Sequence, residues 1–365
     1  MDVEKKDRAV CLMFALMLAG GLLLCIFMPK DKYSDSERRM LTPMPGLSAG
    51  NVWSGRFMSG FEDYAADAFP FRDAFRRIKA VTAFKLFSRM DNNGIYEADG
   101  FLSSVEYPMN EADLERAAER FRHICDKYLT EKNKVYLSVI PDKNCFMAAA
   151  SGHLAMDYDA FEGRMKELAD FAEYIPISDL LDRDDYYRTD THWRQEKIGD
   201  VAGRLAQAMG THLSQNYEVH RLDHDFYGVY HGQSALMLPA DELKYLTDES
   251  IRNCQVYDWQ NKREIPVYDF EKGEGRDPYE MFLSGSLSLL TMENPCAQTD
   301  KELVIFRDSF GSCIGPLLLE GYLQITLVDI RYIHPDYLGQ FIDFDNCDVL
   351  FLYSTLVLNH SDTLK

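Results

Sequence analysis

Val304-Ile305-Phe306-Arg307-Asp308-Ser309-Phe310-Gly311 reads as a buried strand ending in a serine on a tight turn. Successive apolar residues without polar alternation fit a strand covered on both faces, as in a parallel sheet. The segment after it predicts a helix from about Ser312, so Ser309 lies in a strand-to-helix turn. In an open α/β sheet, binding and reacting groups collect at the carboxyl ends of strands.

Working outward, the same alternation of elements recurs. Leu114, Ala117, Phe121, Ile124, Tyr128 and Leu129 place one apolar face on a helix over 111–130. The run Val135-Tyr136-Leu137-Ser138-Val139-Ile140 follows as a second buried strand, closed by Pro141-Asp142-Lys143-Asn144. Phe161, Met165, Leu168 and Phe171 predict another helix, then a short strand at 174–177. Ile198, Val201, Leu205 and Met209 give a third helix closed by Gly210. Strands are expected again at 323–329 and 349–353. Helix and strand in alternation imply an α/β domain with a parallel sheet flanked by helices. Residues 215–300 interrupt that rhythm with aromatics, acids and turn signals, and read as an insertion of strands and loops. Before the domain core, Phe57, Phe61 and Tyr64, and Phe71, Phe75 and Ile78, have helical spacing. Residues 94–96 and 100–102 predict a hairpin.

One further stretch matters chemically: Tyr187-Arg188-Thr189-Asp190-Thr191-His192-Trp193, just after the predicted short strand. A serine hydroxyl needs a base within hydrogen-bond reach, and histidine fits because its pKa lies near physiological pH. A carboxylate fixes the histidine's tautomer and orientation. Asp190, His192 and Ser309 therefore make a candidate triad, with the Ser309 N–H as a candidate oxyanion donor. The alternatives are an ordinary helix cap at Ser309 and a metal site at Asp190 and His192. His220, His224 or His231 could be further ligands for a metal, but they show no zinc-type spacing. The triad reading calls for no metal and no cofactor.

With 39 basic against 59 acidic residues, the formal charge is −20. So acidic a chain without a basic stripe is a poor nucleic-acid binder and is not suited to a polyanionic glycan. The eight cysteines form no CxxC pair, which excludes the usual structural zinc and thioredoxin-like patterns.

Residues 9–28, AVCLMFALMLAGGLLLCIFM, hold no charge. As a helix they span roughly 30 Å, enough for a bilayer core. A cleaved signal peptide is the alternative, but the run is long and no small-x-small site precedes Pro29. The organisation expected is a tail at 1–8, a transmembrane anchor at 9–28, a linker at 29–51 and a catalytic domain at 52–365. Lysines and arginines lie on both sides of the span, so charge does not fix orientation. A short tail before a large C-terminal domain fits a single-pass signal-anchor with the domain outside the cytoplasm.

Tyr187–Trp193 and Phe306–Gly311 resemble the SGNH-hydrolase-like proteins of the DHHW family, which are similar to bacterial alginate-type polysaccharide O-acetylation proteins. Segments 36–39, 67–72, 139–143 and 328–332 match as well. As in that family, the Asp-x-His precedes the serine, a permuted order relative to the usual SGNH arrangement. Where the DHHW motif has its second histidine this chain has Thr191, as the alginate-type relatives do. The resemblance implies Ser309 as nucleophile, His192 as base and Asp190 as its orienting acid. Arg331 and Tyr353, near strand ends, and Lys143 and Trp193, within matching segments, are candidate substrate or oxyanion contacts, with packing roles the alternative. The function implied is O-acetylation of a cell-surface or exported polysaccharide at the cell membrane, through an acetyl-serine. A membrane-bound O-acyltransferase is the implied donor partner. A glycan acetyl esterase, or a non-catalytic scaffold subunit, would carry the same sequence features.

Overall fold

A computed structural model describes residues 3–345 and 347–365. The chain forms two compact units, Met1–Asn92 with Gly232–Leu236, and Asn93–His231 with Met237–Lys365.

The first unit opens with α1 (Val3–Phe27). Its Lys5–Phe27 stretch is long and apolar enough to cross a membrane or to act as a signal. Strands β1 (Tyr33–Ser34) and β2 (Arg39–Met40) pair antiparallel. Helices α2 (Ala49–Trp53), α3 (Arg56–Asp67) and α4 (Arg72–Val81) follow. Arg39 forks onto Asp67 at 2.8 and 2.6 Å, and Thr42 donates to the same carboxylate through its N–H and hydroxyl. These partners, Arg39 foremost, hold the Asp67 carboxyl well below the usual range. Glu37 pairs with Arg72 and, at 3.2 Å, with Arg76. Segments 36–39 and 67–72 thus meet in one ion-pair network.

In the second unit, β3 (Ile95–Ala98) and β4 (Phe101–Ser104) form the expected hairpin. The remaining elements are α5 (Glu111–Tyr128), β5 (Val135–Ile140), α6 (Asn144–Ser151), α7 (Tyr158–Leu168), β6 (Glu173–Tyr174) and α8 (Gly199–Ala208). A hairpin of β7 (Glu218–Phe226) and β8 (Asp241–Thr247) comes next. Then follow β9 (Gln255–Asp258), β10 (Arg263–Ile265), β11 (Leu289–Glu293), β12 (Glu302–Arg307), β13 (Gln324–Val328) and β14 (Cys347–Ser354). Eight of these strands make one mixed sheet in the order β10-β9-β11-β13-β12-β14-β5-β6. From β13 to β6 the pairings are parallel, whereas β10, β9 and β11 add antiparallel.

Two apolar layers cover the sheet. On one face, α5 presents Leu114, Ala117, Phe121 and Ile124 at helical spacing, with the Phe121 ring stacked on Phe351 and Tyr353. Glu111 and Asp113 in its first turn and Lys127 in its last match the helix dipole. On the other face, Ile198, Val201 and Leu205 pack with Leu303, Ile305 and Leu350. Strand β12 is central, paired in parallel on both sides, which is why its sequence carries no polar alternation.

Three details differ from expectation. Part of segment 215–300 is main sheet, since β9, β10 and β11 lie within it. The strand expected at 174–177 is only Glu173–Tyr174, because Pro176 has no N–H for a ladder. The helix after Ser309 is a single turn, Gly311–Ile314, passing into a 3₁₀ stretch at Gly315–Gly321, where Pro316 cannot donate back into an α-helix.

Candidate active site

Strand β12 ends at Arg307, and the next residue anchors the turn that carries Ser309. The buried Asp308 carboxylate accepts the Ser354 N–H at 2.8 Å and the Ser354 hydroxyl at 2.6 Å through Oδ2, and the Phe310 N–H at 3.0 Å through Oδ1. The Ser309 turn is thereby tied to the end of the neighbouring strand β14. Gly311 lets the chain turn back over β12, since a Cβ there would lie 2.5 Å from Arg307 Cβ. Among the described residues, no acceptor engages the Ser309 N–H.

The Asp190 and His192 loop folds back on itself, with Tyr186 and Trp193 bridged in antiparallel fashion and the Tyr187 N–H donating to His192 O. Thr189 donates its N–H and hydroxyl to Asp241, and its hydroxyl oxygen accepts the Gly228 N–H. Asp190 Oδ2 accepts the Val229 N–H at 2.8 Å. Gly228 is required by close approach, because a Cβ there would lie 2.3 Å from Asp190 Cβ.

These supports bring the three residues together. His192 Nδ1 lies 2.5 Å from Asp190 Oδ1, and His192 Nε2 lies 2.8 Å from Ser309 Oγ. With Nδ1–H donating to the carboxylate, the Nε2 electron pair faces the serine hydroxyl, the geometry in which histidine acts as a general base. Asp190 is buried and the imidazole is about one-eighth exposed. The Tyr279 ring stacks on the imidazole at 3.8 Å between centroids and 9° between planes, which fixes the ring's tilt.

The other four candidates lie elsewhere than expected of substrate contacts. Lys143 is fully buried, and its ammonium donates to Tyr187 O at 2.6 Å and Asp190 O at 2.8 Å. It braces the triad loop from beneath, and burial lowers its pKa to about 7. Trp193 is buried under the Ser309 turn, its indole N–H donating to Phe310 O at 3.2 Å. Tyr353 is fully buried, with its ring against Phe121. Arg331 forks onto Asp329 at 2.9 and 2.7 Å. Lys143, Trp193 and Tyr353 have no surface to offer a substrate, and the Arg331 fork is occupied. Arg331 and Tyr353 are candidates by their place near strand ends and Lys143 and Trp193 by theirs in matching segments; packing claims Tyr353, Lys143 and Trp193, and the Asp329 pair claims Arg331.

Supports that sequence reading did not single out are Tyr279, Asp241, Gly228, Asp308 and Gln195. Gln195 is buried, donating to Cys313 O and accepting from the Leu246 N–H. The turn signal Tyr227-Gly228-Val229 and the acid inside Arg307-Asp308-Ser309 were the visible traces. Tyr279 leaves none, since it reaches His192 only through the tertiary fold. His220 bonds Thr247 and stacks on Tyr245. Among the described residues, no group of three His, Cys, Asp or Glu side chains is set to hold a metal.

No family model matches the chain, and no curated protein matches it significantly. Among solved structures it is similar to a DHHW family protein from Eubacterium siraeum, with TM-score 0.60 and 18% identity over 73% of this chain and 93% of that one. It is also similar to PatB1 of Bacillus cereus, solved with a sulfonyl adduct, with TM-score 0.58 and 17% identity over 72% of this chain and 97% of that one. Likeness at such identities speaks for the fold. The chain therefore shares its α/β fold with a DHHW family protein over most of its length.

Proposed function

We propose that the chain is an extracytoplasmic O-acetyltransferase that modifies a cell-surface or exported polysaccharide, held at the membrane by α1. The observation that carries this reading is the Ser309–His192–Asp190 relay, at 2.8 and 2.5 Å. Ser309 Oγ attacks the carbonyl carbon of an acetyl donor while His192 Nε2 takes its proton. The Ser309 N–H stabilises the oxyanion that forms. His192 returns the proton to the leaving group as the tetrahedral intermediate collapses to acetyl-serine. It then takes a proton from a sugar hydroxyl, which attacks the acetyl carbonyl. Collapse of the second intermediate gives the acetylated sugar, and His192 hands the proton back to Ser309. Asp190 holds the tautomer and favours the transient imidazolium throughout. The donor acetyl group is supplied on the membrane side by a membrane-bound O-acyltransferase.

The test uses full-length protein with p-nitrophenyl acetate, with and without candidate oligosaccharides, followed by intact mass. Acetyl-protein should accumulate, a sulfonyl fluoride should block it, and Ser309→Ala should abolish both modifications. Acetylated oligosaccharide is the expected product. Fast acetate release with no acetylated sugar assigns the same relay to an esterase. Absence of any Ser309 adduct replaces the enzyme with a scaffold.

A further inference from the structure

Helix α4 is built inside out. Its inward side carries Arg72 and Arg76, paired with Glu37, together with the fully buried Ala80. Its outward side carries the apolar residues. Phe71, Phe75, Ile78 and Val81 are 63, 53, 62 and 48% exposed, and Leu86 and Phe87 beyond the helix are 71 and 68% exposed. Phe71, Phe75 and Ile78 follow an i, i+4, i+7 spacing, so they form one stripe. A contiguous apolar stripe turned away from the protein marks an interaction surface.

Two features say what covers it. Residues 74–90 contain Arg76, Arg77, Lys79, Lys85 and Arg89 and no acidic residue, in a chain of net charge −20. Arg77 and Lys79 sit on either flank of the stripe, where long basic side chains reach phosphate headgroups while their stems lie along apolar surface. Second, the start of α4 lies beside the end of α1. Met28, Pro29 and Lys30 line the same cavity, of about 400 Å³, as Phe69, Phe71 and Arg72.

We propose that α4 lies in the plane of the bilayer surface, its Phe71–Phe75–Ile78 stripe among the acyl chains and its basic flanks on anionic headgroups, in the leaflet from which α1 emerges. The proposal rests on α1 as a retained anchor and is independent of acetyl transfer. A single spanning helix leaves a domain free to swing, whereas an in-plane helix adds a second membrane contact.

Full-length protein is reconstituted in vesicles of phosphatidylcholine and phosphatidylglycerol, with p-benzoylphenylalanine at Phe75, Ile78, Leu16 or Asp73, one site at a time. After irradiation, intact mass should show lipid adducts at Phe75 and Ile78 approaching the yield at Leu16 within α1. Asp73, on the opposite side of α4, should give none. Arg77→Glu with Lys79→Glu should lower the Phe75 and Ile78 yields and leave Leu16 unchanged. Lipid adducts at Leu16 but none at Phe75 and Ile78, or cross-links from those two sites to protein, overturn the proposal. Loss of adducts at all sites overturns it together with the anchor, while Ser309 acetylation remains a separate readout.

Discussion

Asp190 carries two duties at once, orienting His192 through Oδ1 and holding the Val229 N–H through Oδ2. Asp190→Asn keeps the shape but presents the wrong hydrogen-bonding pattern to Nδ1. Acetylation of Ser309 should fall by about 10⁴-fold, as expected when the base is held in the wrong tautomer, and burst kinetics with p-nitrophenyl acetate will show it. Gly228→Ala forces a Cβ into Asp190 and should cost about 10²-fold in the same assay, the scale of an ångström's misplacement. Two buried groups adjacent in sequence, Asp142 and Lys143, give opposite pH signatures. Lys143 is lowered by burial from 10.5 to about 7, so between those values the unfolded chain holds more protons than the folded one. Its contribution to stability rises with pH across that window. Asp142, raised by burial and by Glu106 from 3.8 to about 6, makes the folded chain hold more protons, so its contribution falls as pH rises from about 4 to about 6. Urea midpoints for Lys143→Met should lose the rise between about pH 7 and about pH 10, while Asp142→Asn should lose the fall at acid pH.

At the scale of elements, the site is a junction between strand ends, and Asp308 is its fastening. Asp308→Ala removes the acceptor for Ser354 and Phe310 and leaves those buried donors unpaired. We expect a loss of about 3 kcal/mol in urea unfolding, the scale of hydrogen bonds to a buried charge, with acetylation reduced as well. Ser309→Ala should leave stability nearly unchanged. This junction was half legible in the sequence. The apolar runs of β5, β12 and β14 announce a parallel core, and helical spacing announces α5 and α8, because burial on both faces or along one stripe leaves a periodic trace. Strands β9 and β11 leave a weaker one. Val256 and Met292 face the core while Tyr257 and Thr291 beside them are half-exposed, and short alternating segments among turn residues read as strands of an insertion rather than of the main sheet. Lys143 and Tyr353 misled for the converse reason. A polar residue at the end of a buried strand looks like a ligand contact unless its partners, Tyr187 O and Asp190 O for Lys143, are known. Tyr279 could not be read at all, because nothing local distinguishes a ring that stacks on a histidine nearly ninety residues earlier.

For the whole molecule, the proposed function requires the second unit to lie outside the cytoplasm, and its cysteines offer a test. All eight are free thiols, six of them in that unit. Cys125, Cys145, Cys254, Cys313 and Cys347 are each pushed up to about 12 by burial, so almost none of their thiolate is present near neutral pH. Cys313 and Cys347 are buried and Cys125, Cys145, Cys254 and Cys296 are partly exposed, but Cys296 lies in the segment after β11 between the exposed Pro295 and Gln298. A membrane-impermeant maleimide applied to intact cells should therefore label the folded unit first at Cys296, and Cys296→Ser should remove that fastest-labelling site. Labelling only after lysis would place the unit in the cytoplasm and remove the access to exported glycan on which the acetyl-transfer reading depends. Denaturant should then release the remaining thiols to the reagent, because it is burial that keeps them protonated. The six thiols of this unit are free, with no disulfide among them, so nothing covalent holds them apart once the fold is lost. Unfolding under oxidising conditions should consequently scramble them, and refolding yield should be higher with reductant present than without it.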